Sequence, residues 1–404
     1  MSNTVLLGEI ASLKTGPFGT QLSASEYVKE GIPVINVRNI GYGEIITSDL
    51  EYVGEETAKR LYEHLLHKGD IVFGRKGSVD RHAFIDTRYD GWMQGSDCIR
   101  VRINEGINPH FISHNLKLES VKKQINSSAV GSTMASLNTD ILSRIQIVLP
   151  SLEIQNRIEE LLSVIEEKID LNTRLCAKLE AMAKTLYDYW FVQFDFPDEN
   201  GKPYRTSGGA MEWCQELGRE LPKGWRSYKI GELLAPIPNT TRIQMGEYNK
   251  EGAVPIIDQS ASFIAGYTND ESTLLCSESG YIVFGDHTRI VKYIRFPFAR
   301  GADGTQIIDS NSPCMPNELF YQVIQSIDLT NQGYARHYKF LKDTTVIVPD
   351  EPIAQQYQKV VSPLYDKIPK IVFENVELIK LRDWLLPMLM NGQAYVKVGG
   401  DESV

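Results

Sequence analysis

SLEIQNRIEELLSVIEEKIDLNTRLCAKLEAMAKTLYDYWF, residues 151–191, runs about forty positions without a glycine or proline and predicts one continuous helix. At 1.5 Å per residue it would be roughly 60 Å long. Ser151 suits an N-cap, and Glu153, Glu159 and Glu160 crowd the positive end of the helix dipole. Apolar residues recur at spacings of three and four: Ile158, Leu162, Ile165, Ile169, Cys176, Leu179, Ala183, Leu186 and Trp190. Asn172 alone interrupts the row. That is a coiled-coil seam, and a seam needs a partner.

The partner lies in the same chain. Residues 352–391, PIAQQYQKVVSPLYDKIPKIVFENVELIKLRDWLLPMLMN, repeat the pattern. A shift of 199 positions puts Ile154 on Ile353, Leu162 on Val361, Ile165 on Leu364, Ile169 on Ile368 and Leu179 on Leu378. Val148-Leu149-Pro150 falls on Ile347-Val348-Pro349 with the same shift. A repeat of this kind outranks any single motif. Pro363, Pro369 and Pro387 should bend or break the second helix, and the expectation is a helix that is present but kinked.

The segments before the helices repeat as well. Leu7-Gly8-Glu9-Ile10 returns as Ile230-Gly231-Glu232-Leu233, IPVINVR (32–38) as VPIIDQS (254–260), and KGDIVFGRKGSV as SGYIVFGDHTRIV (279–291). GSDCIRV returns as GADGTQI, and the helix expected from Pro109 to about Ile125 returns as NELFYQVIQSI. Strands are expected at 32–37, 71–73, 98–103 and 145–149. The shift falls from 223 through 211 and 206 to 199, so loop lengths differ on a shared framework. Between the two halves, FDFPDENGKPYRTSGGAMEW reads as a linker.

Composition bounds the function. With 404 residues the chain has room for two or three domains, and 42% hydrophobic with 23% charged residues is ordinary for a globular protein. No apolar run reaches the ~18 residues that span a membrane, and no secretory signal opens the chain. Five cysteines without a CxxC pair fit a reducing cytoplasm. A net charge of −10 argues against a protein that coats nucleic acid by itself, but local basic clusters remain able to touch DNA.

Enzyme signatures are missing. There is no GxxxxGK[ST] loop, no GxGxxG entering a helix, no GxSxG elbow and no Pro-Pro dipeptide of the amino-methyltransferase type. Asp198 and Asp350 follow prolines, but no Glu-x-Lys comes after either, and turn or cap roles suit them. His64 with His67, and His110 with His114, have spacings that suit a metal on a helix, yet no cysteine or third histidine is placed to complete a site. Neither a metal site nor catalytic residues are expected.

DNA-reading chemistry collects instead on glycine-rich tips, where arginine matches guanine edges, asparagine matches adenine, and lysine, serine and threonine hold phosphates. The first half offers Arg38 with Asn39, Arg75 with Lys76 and Ser78, Arg81 with His82, and Ser132 with Thr133. The second offers His287 and a stretch, 286–300, with Arg289, Lys292, Arg295 and Arg300 against one acid, Asp286, then YARHYKF with Arg336, His337 and Lys339 interleaved among aromatics. Any one of these is most simply an ordinary solvated loop residue. Their recurrence at equivalent places in both repeats is the signal.

GDIVFGRKGS, the run GSTMASLNTDILSRIQIVLPSLEIQNRI into the long helix, the entry LPKGW at 221–225 and the order of repeats together resemble the specificity subunit of type I restriction-modification systems, over nearly the whole chain. The resemblance implies an α/β (α+β) fold with two similar target-recognition domains joined by two long antiparallel helices. In this sequence the parts would be 1–150 and 221–349 (recognition domains), 151–192 and 350–392 (helices), 193–220 (linker) and 393–404 (tail). It implies a double-stranded DNA target in two blocks, one read by each domain, with the helices setting the unread spacer. Two methyltransferase subunits would dock on the helices, against outer faces carrying Arg157, Lys168 and Lys178. S-adenosylmethionine would reside in those partners, Mg²⁺ and ATP in a nuclease subunit where one joins, and no cofactor in this chain. Three departures limit the transfer: GDHTR replaces GRKGS in the second half, YARHYKF replaces GSTMASL, and prolines enter the second helix.

Asn172 and Asn375 would lie near the middle of the helix pair, and a buried polar pair there would fix register. Two other readings compete. A two-headed protein-binding scaffold predicts no sequence-dependent DNA affinity, and a single-chain DNA methyltransferase or nuclease predicts activity in the isolated chain.

Overall fold

The computed structural model describes residues 3–129, 135–330 and 336–394. The chain divides into two compact units, Met1–Ile169 with Glu377–Val404, and Asp170–Val376.

In the first unit a five-stranded sheet runs in the order Ala11–Thr15, Cys98–Ile103, Ile71–Gly74, His82–Phe84, Tyr42–Gly43. A second, four-stranded sheet runs Tyr27–Val28, Glu51–Val53, Ile32–Ile35, Met93–Gln94. Strand Ile71–Gly74 is buried throughout, which explains its unbroken apolar run. Asn3–Leu6 pairs with Gln146–Leu149 at the base. The helix expected over 109–125 is two, Pro109–Leu116 and Glu119–Ser128. The Lys117 and Leu118 N–H groups bond back to His114 and Asn115 in tight i−3 turns, and Leu118 is extended, so the second helix starts afresh.

The second unit repeats this frame. Tyr281–Gly285 sits between Val291–Ile294 and Thr305–Ile308, as Ile71–Gly74 sits between two antiparallel neighbours. The parallel pair Val254–Ile257 with Phe298–Arg300 matches Ile32–Ile35 with Met93–Gln94. The base pair Arg226–Lys229 with Thr345–Val348 matches the first. No described strand answers Ala11–Thr15, because Pro236 and Pro238 occupy that stretch and cannot donate to a ladder. The repeat holds at single bonds. Glu9 Oε2 accepts from Leu6 N–H and Glu232 Oε2 from Lys229 N–H, both at 2.8 Å. Leu7 N–H reaches Ile145 O and Ile230 N–H reaches Thr344 O.

The long helices are Leu152–Tyr187, which runs on through a π turn at Asp188–Val192, and Glu351–Met390. The second helix is present, as expected, and continues through Pro363, Pro369 and Pro387. Each proline forfeits one i→i−4 bond. Packing offsets that loss, since Tyr357, Val361, Tyr365 and Ile368 are buried in the second unit's core with Leu179, Ala183, Tyr187 and Trp190. Within that unit Tyr357 Oη donates to Ala183 O at 3.2 Å while Asn172 faces Asn375, so the two segments run antiparallel. In the first unit Ile158 and Leu162 share a core with Leu386, Leu389 and Met390.

The stretch read as a linker is a packed element. Its Phe194 and Phe196 are buried, Phe196 stacks at 5.1 Å on Trp225 of the segment that follows, and Met211–Cys214 pairs with Arg219–Pro222. All five cysteines are free. Among the described residues, no helix is long and apolar enough to cross a membrane.

Candidate nucleic-acid interface

Each central buried strand ends at a glycine, Gly74 or Gly285, where there is little room for a Cβ. A Cβ on Gly74 would lie 3.1 Å from Val37 Cγ1, and one on Gly285 would lie 2.1 Å from Thr288 Oγ1. The next residue is held the same way in both units. Arg75 N–H donates to Asp97 O, and Arg75 O accepts from Leu137 N–H; Asp286 N–H donates to Gly304 O, and Asp286 O accepts from His337 N–H. These bonds use only backbone, so the frame is indifferent to the side chain it presents.

The side chains diverge. The Arg75 guanidinium lies 4.6 Å from the centre of the half-exposed Phe18 ring, in the glycine-rich loop TGPFGTQL. Its Nε, and that of Arg81, are buried atoms with no hydrogen-bond partner among the described residues. Lys76 and Ser78 are exposed, Lys76 facing Asp97 at 3.3 Å. Arg38 is half-exposed; it donates to Asp49 O and pairs with Glu51. Val37 against Gly74 brings Arg38 beside this strand end. Ser132 and Thr133 lie outside the described residues.

Asn39 departs from the expected role. Its side chain is fully buried, donates to Ile46 O and Ser48 O, and accepts from Asn36 N–H, so it builds the turn instead of facing DNA.

In the second unit Asp286 is buried, and its Oδ1 caps the helix His337–Asp343 by accepting from Tyr338 N–H at 2.8 Å. His287 and Arg289 are exposed at the turn. Arg289 holds φ of 62°, a left-handed backbone that a long side chain rarely adopts. Gln259, which sequence reasoning missed, ties the turn down: its Oε1 accepts from His287 N–H, its Nε2 donates to Asp303 O, and its O accepts from Thr288 Oγ1. Nothing in a lone glutamine signals that task. Arg336 and Lys339 are exposed, while Tyr334 lies outside the described residues.

Lys292 and His337 are corrections. Lys292 is buried, and its ammonium donates to Asp258 O and Ser262 O; burial pushes it down to about 8. The alternation of its strand points it inward. His337 is buried at the capped helix start. Two other basic residues of this stretch are also committed. Arg295 pairs with Glu318 and Asp366, and Arg300 donates to Thr305 O. The open basic surface of the second unit is therefore smaller than the charge count suggested.

For His64 and His67, no third metal-ligating group joins the pair among the described residues. His67 Nδ1 faces Asp90 at 3.7 Å.

Residues 2–181 match the family model described as the type I restriction modification DNA specificity domain. The type I restriction enzyme MjaIX specificity subunit of Methanocaldococcus jannaschii is 24% identical over 415 aligned positions, covering 97% of this chain and 92% of the relative. These matches support a type I DNA-specificity subunit. The HindI specificity subunit of Haemophilus influenzae is 22% identical, covering 89% of this chain and 94% of that relative. In fold, this specificity subunit is similar to the crystal structure of the type I restriction-modification S subunit from M. genitalium. The TM-score is 0.58 at 15% identity, over 98% of this chain and 97% of the other.

Asn172 is buried, and its Nδ2 donates to Asn375 Oδ1 and to Glu374 Oε2, both at 2.8 Å. The specificity subunit thus carries a satisfied polar pair within an otherwise apolar seam. Glu374 was not foreseen, because it lies beside the expected partner in sequence and shows no periodicity of its own.

Proposed function

We propose that this DNA-specificity subunit reads a target in two blocks, one block per unit, and that its helices set the length of unread DNA between them. The supporting observation is the paired frame: the same backbone bonds hold Arg75 in one unit and Asp286 in the other, with unlike loops around them. One scaffold with two different tips suits two different half-sites. In the first unit Arg75, Lys76, Ser78, Arg81 and Arg38 are the DNA-contacting candidates. In the second they are His287, Arg289, Arg336 and Lys339.

The chain acts with methyltransferase subunits, two per specificity subunit, which bind S-adenosylmethionine and modify adenine. A nuclease subunit using Mg²⁺ and ATP is a further partner, and the cytoplasm is the place of action. Base flipping and methyl transfer belong to the partner. This chain holds no cofactor of its own in that scheme.

The test is a map of modified adenines after co-expression with the methyltransferase partner in a host lacking adenine methylation. The expected result is a split motif with a fixed run of unspecified bases. A continuous motif means that one unit alone reads DNA. No methylation by a soluble complex with an active partner points instead to a protein-binding scaffold.

A further inference from the structure

The helix Pro109–Leu116 meets the helix Leu152–Tyr187 across a cluster that the DNA reading does not use. Asn108 fastens the contact: its Oδ1 caps its own helix by accepting from His110 and Phe111 N–H, its N–H donates to Gln155 Oε1, and its Nδ2 donates to Asn156 Oδ1. One turn further on, His110, His114 and Glu166 bring one ligand atom each to within 4.8 Å of one another. His110 Nε2 stands 3.8 Å from Glu166 Oε2, and His114 Nδ1 stands 3.8 Å from Glu166 Oε1.

Those separations are too long for hydrogen bonds. They are close to the spacing between ligands of one tetrahedral ion, about 3.4 Å for bonds of 2.0–2.1 Å. The far side of His110 supports the same conclusion. Its Nδ1 lies 3.0 Å from Glu159 Oε1, and Ser163 Oγ donates to that carboxylate at 2.7 Å. A carboxylate behind an imidazole fixes the tautomer that turns a lone pair toward a metal. The His114 side chain is 1% exposed, and Nδ1 is its ring nitrogen that faces Glu166.

Charge permits a cation. Lys117 Nζ lies 2.7 Å from Glu166 Oε1 and leaves Oε2 facing His110. Arg382 is paired with Asp383. Glu159, Glu166 and Asp383 against Lys117 and Arg382 leave a net charge of −1. Two imidazoles and one carboxylate suit zinc-class ions rather than Mg²⁺ or Ca²⁺, which prefer all-oxygen shells.

We propose that His110, His114 and Glu166 form a site for a divalent transition ion of the zinc class, with Glu159 positioning His110. The ion would clamp the recognition unit's helix to the long helix, and this role is independent of which bases are read.

The test uses the full-length chain without an affinity tag, stripped with a chelator and titrated with Co²⁺ as a visible-absorbing probe. One equivalent should bind, with d–d bands of a low-coordinate site. Glu166→Gln and His110→Gln should weaken binding at least tenfold, and Glu159→Gln by about 10–100-fold. Lys117→Met should tighten it, since a competing ammonium is removed, and this arm does not depend on a variant that loses a ligand. No stoichiometric binding, or binding unchanged in Glu166→Gln and His110→Gln, overturns the proposal. So does weaker binding in a folded Lys117→Met.

Discussion

Lys292 donates to the carbonyls of Asp258 and Ser262, whereas Arg75 lies over Phe18 with a buried Nε that no described group satisfies. The two basic residues should therefore fail differently. Lys292→Met should destabilise the second unit by about 1–3 kcal/mol, because two carbonyls lose their donor. It should leave the salt dependence of DNA binding unchanged, as followed by thermal unfolding and by anisotropy titrations at several salt concentrations. A lysine on a phosphate would instead lower the salt slope by about one. Arg75→Ala should cost about 1–3 kcal/mol of discrimination at one half-site and leave assembly with the methyltransferase intact. Loss of assembly with unchanged base preference would remove Arg75 from the interface. The glycines put Arg75 at a strand end, but Lys292, read with the same set, lies buried within the strand Val291–Ile294. The sequence was silent on which ammonium turns inward, because the carbonyls that hold Lys292 lie about thirty positions away.

At the level of elements, most of the frame was legible. The LGEI and IGEL turns, the buried IVFG strands and the seam are local patterns, and each appears at its expected place. What escaped depends on tertiary packing. Proline rules count only the lost bonds of a kinked second helix, and not Tyr357 and Tyr365, which are buried among aromatics on its inner side. A linker composition hid Phe194 and Phe196, two rings that pack on Trp225 beyond it and make it a folded piece. Glu166 escaped because it is distant in sequence from His110 and His114. The Asn172–Asn375 pair gives a prediction at this scale. Replacing both by leucine should raise the unfolding temperature, since an apolar pair fills the seam. The methylation motif should then show more than one spacer length, because the device that rejects slipped registers is gone. A single, unchanged spacer would remove the register role.

Over the whole molecule, acid should act first on the unit that buries His82. Its ring is fully enclosed, with Nε2 beside Ser113 Oγ and O, and burial with the nearby Lys117 holds it down at about 3. The unfolded chain takes up that proton near pH 6.5, and the folded one does so only near 3. Stability is therefore fully present above pH 6.5 and falls as pH drops through that window, by at most about 1.4 kcal/mol per pH unit for this proton. Thermal unfolding between pH 7 and 4 should show the decline, and His82→Gln should flatten it. An unaltered slope would assign the acid response to carboxylates.

The division of the chain carries one more consequence, in the order of synthesis. Leu386, Leu389 and Met390 belong to the core of the first unit, although about 200 residues of the second are made before them. At 5–20 residues per second those take roughly 10–40 s to emerge. Throughout that interval Ile158 and Leu162 lack the side chains that cover them, and the nascent first unit is open to chaperones and to proteases. The part of the chain that is born first is completed last.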